Sequence, residues 1–339
     1  MELVRLGIIG CGAISKKHGE AISRIEGAKL VAAADLVEEN VRQFVNAYEG
    51  KSYGDYRDLL EDPNVDAVII ATPSGLHAKM GQDALDAGKH VLVEKPLAMC
   101  ANDADRLIKK AQEVKRCLGT VHPNRHYEIS EMIHKAIEDG RFGKLSHGVA
   151  TVRWNRTQKY YDEAPWRKTR EMDGGVLLNQ AWHALDLLFW FMGPVAKVQG
   201  ITSKRLHDID TEDIALVTLE FESGALGLVE ATTNVYPRNL EQTVSVFGEK
   251  GTVVLGGRRI DAVRVWRVEG DKDEKEVLGV WGEDTALKHD PSWGHERVIR
   301  TFIEQLKSGI NIAPEVSTAA IAIRVIESVV GSSLGAACE

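Results

Sequence analysis

The sequence predicts an α/β protein of two domains: a parallel-sheet domain, then an α+β domain with a large, mostly antiparallel sheet. Up to residue 122, short apolar runs alternate with helical segments, which is the pattern of βαβ units. Between residues 146 and 268, runs with period-two alternation dominate, as in an antiparallel sheet with one packed face. A chain of 339 residues suits two domains of about 150 residues each. We place them at 1–122 and 123–339.

The first domain begins with a strand and then alternates. We expect strands at 5–9, 30–34, 66–71, 90–93 and 117–121, and helices at 56–60, 76–87 and 102–114. The apolar runs are continuous rather than alternating, which is typical of strands buried on both faces. A sheet of this kind has its ligand crevice at the carboxyl ends of its strands.

A glycine turn follows the first strand. Gly10 and Gly12 permit a tight turn and a close backbone approach, and Ala13 and Ile14 lead into a helix whose N-terminus attracts a pyrophosphate. The second strand ends at Asp35, whose carboxylate would accept hydrogen bonds from ribose hydroxyls and repel a 2′-phosphate. The pattern therefore predicts a Rossmann domain that binds NAD rather than NADP. The alternative for Asp35 is a simple helix cap.

Polar residues and prolines end the next two strands. Thr72, Pro73, Ser74 and then His77 follow the strand at 66–71, and Glu94, Lys95 and Pro96 follow the strand at 90–93. We expect the first group to cover the cofactor, with His77 either touching it or lying on the surface. We expect Lys95 to point to where the nicotinamide would lie.

The second domain reads as one helix, a run of strands and two closing helices. The helix is expected at 129–139, the strands at 146–153, 214–222, 226–233, 241–247 and 262–268, and the closing helices at 293–307 and 316–330. We expect the last helix to pack back on the first domain. One face of the sheet is free to meet a partner, so the sequence predicts a homo-oligomer, a dimer or tetramer, formed through this sheet.

A basic, aromatic segment spans residues 153–170. It holds six basic residues against two acids, with Trp154, Tyr160, Tyr161 and Trp166 among them. Arginine forks suit phosphate or carboxylate, and aromatic rings offer stacking surfaces. The segment predicts an anionic ligand with a flat ring, unless it is a solvated loop with structural tryptophans.

A double glycine at 174–175 precedes an apolar stretch that contains Asn179, Gln180 and His183. If this stretch is helical from about residue 177, Asn179 and His183 are neighbours on one face. An imidazole that titrates near neutrality is a natural acceptor for a hydroxyl proton. Asp186 would either hold the other ring nitrogen of His183 or continue a polar stripe.

Composition excludes several classes of protein. The formal charge is 42 − 50 = −8, which argues against nucleic-acid binding. Four scattered cysteines show neither disulfide nor metal-ligand spacing, so we expect a reduced, cytoplasmic protein without a metal site. The most apolar stretch, 184–196, is too short to span a membrane, and no signal peptide is evident.

Taken together, the glycine turn, the Ala71-Thr72-Pro73 segment with His77, and Glu94-Lys95-Pro96 resemble the Gfo/Idh/MocA oxidoreductase family. The resemblance covers essentially the whole chain. It implies that Lys95 and His183 are catalytic and that Glu94 contacts the nicotinamide-side ribose. It also implies that Asn124 lines the crevice and that Trp166 and Arg167 reach the cofactor.

Many sugar dehydrogenases of this family carry Asp where this chain has Asn179. Segments 153–162, 166–167, 174–180, 236–241 and 248–253 instead resemble a subgroup that uses NAD to oxidise the 3-hydroxyl of UDP-linked N-acetylglucosaminuronic acid for surface polysaccharides. The implied substrate-binding residues are Lys95, Arg153, Arg156, Tyr160, Asn179, Gln180, His183 and Arg238. The alternatives are a dehydrogenase of a free sugar, inositol or amino-sugar, an NAD-dependent glycosidase and a cofactor sensor. Whether His183 or Lys95 is the base stays open.

Overall fold

The computed structural model describes residues 3–271, 273–283 and 293–334. Their strands are β1 Val4–Ile9, β2 Ala28–Ala34, β3 Lys51–Tyr53, β4 Ala67–Ile70, β5 His90–Val93, β6 Leu118–Thr120, β7 Leu145–Arg153, β8 Val195–Ser203, β9 Ile214–Phe221, β10 Leu226–Thr232, β11 Glu241–Gly248, β12 Gly251–Gly256 and β13 Ala262–Val268. Their α-helices are α1 Ser15–Ser23, α2 Glu38–Tyr48, α3 Tyr56–Glu61, α4 His77–Asp86, α5 Ala101–Val114, α6 Glu128–Glu138, α7 Gln158–Asp162, α8 Trp182–Met192, α9 Glu274–Trp281, α10 Trp293–Lys307 and α11 Pro314–Leu334. Val176–Gln180 forms one turn of π-helix.

The chain divides into two compact units. The first takes the described residues of 1–123 and 290–320, and the second takes those of 124–289 and 321–339. The first unit therefore includes a segment from late in the chain. A single domain boundary after residue 122 does not predict this. This segment contains α10 and the start of α11, whereas only the last helix was expected to pack on the first domain. Helix α11 belongs to the first unit only through residue 320.

A six-stranded parallel sheet forms the first unit, in the order β3-β2-β1-β4-β5-β6. The chain runs outward from β1 to β3 and then returns to place β4 on the other side of β1. Such a reversal opens a crevice at the carboxyl ends of the two central strands, where open α/β sheets bind their ligands. Gly10 follows β1 and Thr72 closely follows β4, so both lie at this edge.

Continuous apolar strands build the core of the first unit. All four residues of β4 are fully buried, as expected for a strand covered on both faces. Helix α10 adds Val298, Ile299 and Phe302 to this core. A Cβ on Gly119 of β6 would lie 2.9 Å from the Phe302 ring, so the glycine lets the helix pack closely. This burial explains why α10 joins the first unit.

A seven-stranded sheet forms the second unit, in the order β13-β12-β11-β7-β10-β9-β8. Its neighbours pair antiparallel except for β10 and β7, which are parallel. Helix α8 packs on one face: a Cβ on Gly148 would lie 2.7 Å from Leu188. The fold class predicted from the sequence, a parallel-sheet Rossmann domain with a mostly antiparallel α+β domain, is confirmed.

Three strands escaped the sequence analysis. β3 and β8 are edge strands, whose exposed positions weaken the hydrophobic pattern, and β12 is framed by Gly251 and Gly256, which read as turn residues. The helix expected from about residue 177 is instead the π-helical turn followed by α8. Among the helices of the described ranges, none combines the length and apolarity that crossing a bilayer requires.

Candidate active site

The glycine turn after β1 has the backbone shape that a dinucleotide needs. Gly10 has a φ of +95°, and a Cβ there would lie 2.7 Å from the carbonyl oxygen of Ala71. A Cβ on Gly12 would instead meet no described atom within 4 Å, so this backbone is open to a ligand. Ala13 and Ile14 then lead into α1, which begins at Ser15. The residues present therefore fit a pyrophosphate held at a helix N-terminus.

Asp35 connects the two loops that surround this position. Its Oδ2 accepts the Cys11 N–H at 2.7 Å and its Oδ1 accepts the Val37 N–H at 2.8 Å. The Cys11 contact is 24 residues away in sequence, so Asp35 is more than a local helix cap. A carboxylate has about four lone-pair sites, which leaves capacity for ribose hydroxyls.

His77 is a buried connection between two loops at the crevice. Its Nδ1 lies 2.7 Å from the Pro96 carbonyl oxygen and its Nε2 lies 3.0 Å from that of Thr72. Burial lowers the pKa of His77, against the opposing effect of these carbonyls. The ring thus ties the Thr72-Pro73-Ser74 segment to the segment after β5. The expectation of a plain surface histidine is wrong, since the side chain is 1% exposed.

Glu94 is a buried carboxylate that turns toward two histidines. Its Oε1 lies 2.7 Å from His18 Nε2 on α1 and 3.8 Å from His295 Nε2 on α10. Burial alone would raise the pKa of Glu94, but the His18 hydrogen bond and the nearby positive charges outweigh it and hold the pKa far below its usual range. Burial, with the charge of His18, lowers the pKa of His295 to about 3.

Glu94, held by these histidines, also fixes the backbone of Lys95. Glu94 Oε2 accepts the backbone N–H of Lys95 at 3.2 Å, so the side chain of Glu94 fixes the backbone of Lys95, two residues after the end of β5. The roles of His18 and His295 were not predicted from the sequence. A signal existed for His18, which shares the buried face of α1 with Ala21 and Ile22, the i, i+3, i+4 spacing of core positions.

In the second unit, Asn124 and Arg125 occupy a short helical turn before α6. Asn124 Nδ2 donates to the Arg259 carbonyl oxygen at 2.6 Å. Arg125 binds Asp186 through Nε, 2.9 Å from Oδ2, and through Nη2. Asp186 is only 2% exposed, so of the two alternatives for this residue the solvent-facing polar stripe on α8 is wrong, and its carboxylate forms a buried ion pair.

The double glycine leads into the π-helical turn that carries Asn179 and Gln180. Asn179 Nδ2 donates to the buried carboxylate of Asp173, and His183 follows in the first turn of α8. Single π-helical turns inside helices are frequent at functional sites. The i, i+4 relation expected for Asn179 and His183 therefore spans a change of helix type.

The basic, aromatic segment folds into alternating rings and guanidinium groups. Arg156 lies over Trp154 at 4.6 Å and over Tyr160 at 5.1 Å, and Arg167 lies over Tyr160 at 4.4 Å and over Trp166 at 5.4 Å. We call these five residues the arginine–aromatic stack. Gln180 joins it, because its Oε1 accepts from Arg156 Nε at 3.1 Å and its Nε2 donates to the Tyr160 hydroxyl at 3.3 Å.

The arginines of this unit differ in whether their guanidinium groups are paired with carboxylates. In the part of the chain that the structure describes, the buried Nε of Arg167 has no hydrogen-bond partner. Arg153 instead donates to Glu230 and Glu241, which raise its pKa further. Arg238 lies in an exposed loop. Arg153 is thus a compensated charge, unlike the free anion receptor that the sequence suggested.

Each of the two units contains a stretch that matches a known protein-family model. The sequence model of the NAD-binding Rossmann domain of the Gfo/Idh/MocA oxidoreductases matches residues 4–122, and that of the family's C-terminal domain matches residues 131–254. The chain belongs to the Gfo/Idh/MocA oxidoreductase family. It is therefore an NAD-dependent dehydrogenase, as the sequence predicted.

Three similar proteins of known activity illustrate the range of this family. The chain is similar to the WlbA dehydrogenase of Bordetella pertussis, solved with NADH and UDP-GlcNAcA: 33% identity, a TM-score of 0.87, and coverage of 97% of this chain and 95% of that one. It is also similar to the myo-inositol 2-dehydrogenase of Thermotoga maritima, with 30% identity over 90% of this chain and 89% of the relative. The WlbA dehydrogenase of Chromobacterium violaceum is 29% identical, with a TM-score of 0.85 over 97% of this chain and 95% of that one.

Proposed function

We propose that this dehydrogenase oxidises the 3-hydroxyl of UDP-linked N-acetylglucosaminuronic acid. The arginine–aromatic stack carries the proposal. It offers two guanidinium groups to anionic oxygens and flat faces to a uracil ring, chemistry that a free polyol does not need. The likeness to two WlbA dehydrogenases with bound UDP-GlcNAcA supports the same substrate.

Within the stack, Arg167 and Arg156 would hold the diphosphate. Arg167 has an unpartnered Nε among the described residues, and a phosphate oxygen would satisfy it. Arg238, exposed in its loop, is our candidate for the sugar carboxylate, because Arg153 is already paired with two acids. Trp166 and Arg167 were also expected to reach the cofactor, and that role stays a prediction.

For the chemistry, His183 accepts the proton of the sugar hydroxyl and Lys95 donates a hydrogen bond to the same oxygen. NAD supplies the hydride acceptor when bound. The reverse assignment, with Lys95 as the base, is the alternative. Gln180 and Asn179 position the substrate from the π-helical turn. Glu94, Thr72, Pro73, Ser74 and Asn124 complete the cofactor contacts that we propose.

A second candidate is oxidation of inositol or another free sugar. The 30% identity to a myo-inositol 2-dehydrogenase over most of both chains favours it. In that case the stack would have no anionic ligand, and free UDP would not inhibit turnover. Competitive inhibition by UDP therefore separates the two candidates.

The deciding experiment follows NADH absorbance with purified protein, NAD and one of three substrates. They are UDP-N-acetylglucosaminuronic acid, UDP-N-acetylglucosamine and myo-inositol. A rise with the uronic acid alone supports the proposal and the need for a carboxylate. A rise with myo-inositol alone refutes it. Before each assay, the protein is checked for bound NADH and stripped of it.

Variants of the stack test the same proposal at its contacts. Arg156→Ala and Arg167→Ala should each raise the KM for the UDP-sugar by about 10- to 100-fold, since a hydrogen bond to a charged group is worth about 1.5–3 kcal/mol. Lys159→Ala is the matched control, because Lys159 is exposed in the same segment and lies outside the stack. Equal effects of all three would point to general electrostatics instead.

Lys95→Ala should abolish turnover while NADH still binds, as followed by its fluorescence. His183→Ala should do the same. Loss of NADH binding together with activity would show that Lys95 retains the cofactor and does not act on the hydroxyl.

We also propose a homo-oligomer formed through the second sheet. Ile201, Leu216, Leu226 and Leu228 on β8, β9 and β10 are 46–72% exposed, and an apolar patch of this kind is typical of an interface. Light scattering after gel filtration measures the state. Leu216→Lys should dissociate it, and a monomeric wild-type protein would refute the proposal.

A further inference from the structure

Glu212 lies buried beside the double glycine, and no role for this residue was predicted from the sequence. Its side chain is 1% exposed. Its backbone carbonyl accepts the Val176 N–H at 3.1 Å, and its Oε1 accepts the Leu177 N–H at 3.1 Å. These are the first two residues of the π-helical turn. One residue thus satisfies two of the amide groups that any helix start leaves open.

Gly175 is shaped to receive this carboxyl group. Its φ is +83°, and a Cβ there would lie 2.5 Å from both Glu212 oxygens. No side chain fits in that space, so the second glycine of the pair is explained by the carboxyl beneath it. The contact joins the segment before β9 to the turn that carries Asn179 and Gln180.

We propose that Glu212 is a positioning residue that holds the π-helical turn in its substrate-binding shape when its carboxyl is protonated and releases it when the carboxyl ionises. The proposal rests on the substrate-side roles proposed above for Asn179, Gln180 and His183. Glu212 itself touches neither the reacting atoms nor the substrate in this scheme. It acts indirectly, by fixing the π-helical turn that carries Asn179 and Gln180.

The surroundings of the carboxyl favour its neutral form. Burial raises the pKa of Glu212 to about 7, against the Leu177 N–H and the positive charge of Arg170, and with help from the nearby Asp173. Throughout the described ranges, Glu212 Oε2 finds no hydrogen-bond partner. An orphaned neutral oxygen costs far less in the interior than an orphaned charge, so ionisation weakens the arrangement.

Other charged groups close to Glu212 are engaged elsewhere. Asp213, the next residue, accepts backbone N–H groups from Arg205, Leu206 and His207, and the side-chain amide of Asn234. Asp173 accepts from Asn179. Arg170 is therefore the cation that acts on the ionised form, and its influence is smaller than that of burial.

The first test needs no substrate. Infrared difference spectra of the wild-type protein between pH 6 and 8 (about one unit on each side of the midpoint) should show a buried carboxylic acid C=O band that disappears as pH rises. Glu212→Gln should lack this band, and Glu222→Gln, which alters an exposed turn residue, should keep it. An identical band in Glu212→Gln would overturn the proposal, whatever the substrate is.

The second test compares kinetics across pH, with UDP-N-acetylglucosaminuronic acid or, if that is not turned over, with the comparator that is. If only the protonated form presents the turn correctly, the competent fraction falls about tenfold for each pH unit above the midpoint, and the wild-type KM rises in proportion. Glu212→Gln should show a KM independent of pH in this range, with the kcat profile unchanged. A KM profile that follows the wild type would overturn the proposal.

A double-mutant experiment tests whether the contact between Gly175 and Glu212 itself positions the turn. Gly175→Ala should raise the KM strongly, because its methyl group meets the carboxyl. In a Glu212→Ala background the same change should cost less, since the colliding atoms are gone. Additive effects would mean that the contact does not position the turn.

Discussion

The pH dependence of stability offers a direct measure of the buried Glu212 carboxyl. The perturbation is Glu212→Gln, which keeps the shape of the side chain and removes its ionisation. In the folded protein, burial raises the pKa from 4.5 to about 7. The unfolded chain releases this proton at the lower value.

The sign follows from proton linkage. A group whose pKa is raised on folding stabilises the folded state fully below its unfolded pKa, and this stability is lost as pH rises through the folded pKa. A shift of about 2.5 units corresponds to about 3 kcal/mol, at 1.36 kcal/mol per unit. We therefore expect the contribution of Glu212 to the free energy of unfolding to fall by about 3 kcal/mol as pH rises from about 4.5 to about 7, and to stay constant above that.

The assay is urea denaturation followed by tryptophan fluorescence at several pH values for the wild type, Glu212→Gln and the exposed control Glu222→Gln. The difference between Glu212→Gln and the wild type should grow by about 3 kcal/mol in favour of the variant as pH rises from 4.5 to 7 and then stay constant. The control should run parallel to the wild type. Parallel curves for all three proteins would refute the reasoning, because they would mean that Glu212 is ionised in the fold.

Three further predictions concern the cofactor turn and the core of the second unit. Asp35→Ala should weaken NADH binding by about 10- to 100-fold and reduce the preference over NADPH, as measured by fluorescence titration, because a charge-assisted hydrogen bond to ribose is lost. Gly10→Ala should destabilise the first unit through its positive φ and the steric contact of its methyl group. Gly12→Ala, in open space, should leave thermal stability unchanged and lower NADH affinity; equal melting temperatures for both would contradict this. Arg125→Met should cost about 3–5 kcal/mol in urea denaturation because it removes the cation that pairs with the buried Asp186 carboxylate, and adding Asp186→Leu should recover most of this loss.

The first unit was readable from sequence because its signals are local. Glycine is needed at Gly10 for a backbone angle, an apolar run is needed where a strand is covered on both faces, and Asp35 ends such a run. Each of these depends on residues within a few positions. The strand-edge position of Lys95 follows in the same way.

The partners of charged residues were not readable, because they depend on packing between distant segments. Glu94 lies 76 residues from His18 in sequence, and Arg153 lies 77 residues from Glu230. The sequence showed a basic segment with four aromatic residues. It could not show that Arg153 is paired with acids while Arg167 keeps an unpartnered nitrogen among the described residues.

By itself, then, the sequence determined the fold class, the cofactor and the positions of Lys95 and His183 along the chain, because strand periodicity, glycine turns and short motifs are written locally. Only the tertiary structure decided which carboxylates are buried, which arginines are paired with acids and why a second glycine precedes the π-helical turn. The reason is physical: the energy of a charge depends on its distance to other charges and to water. Those distances exist only after folding has brought separate segments together.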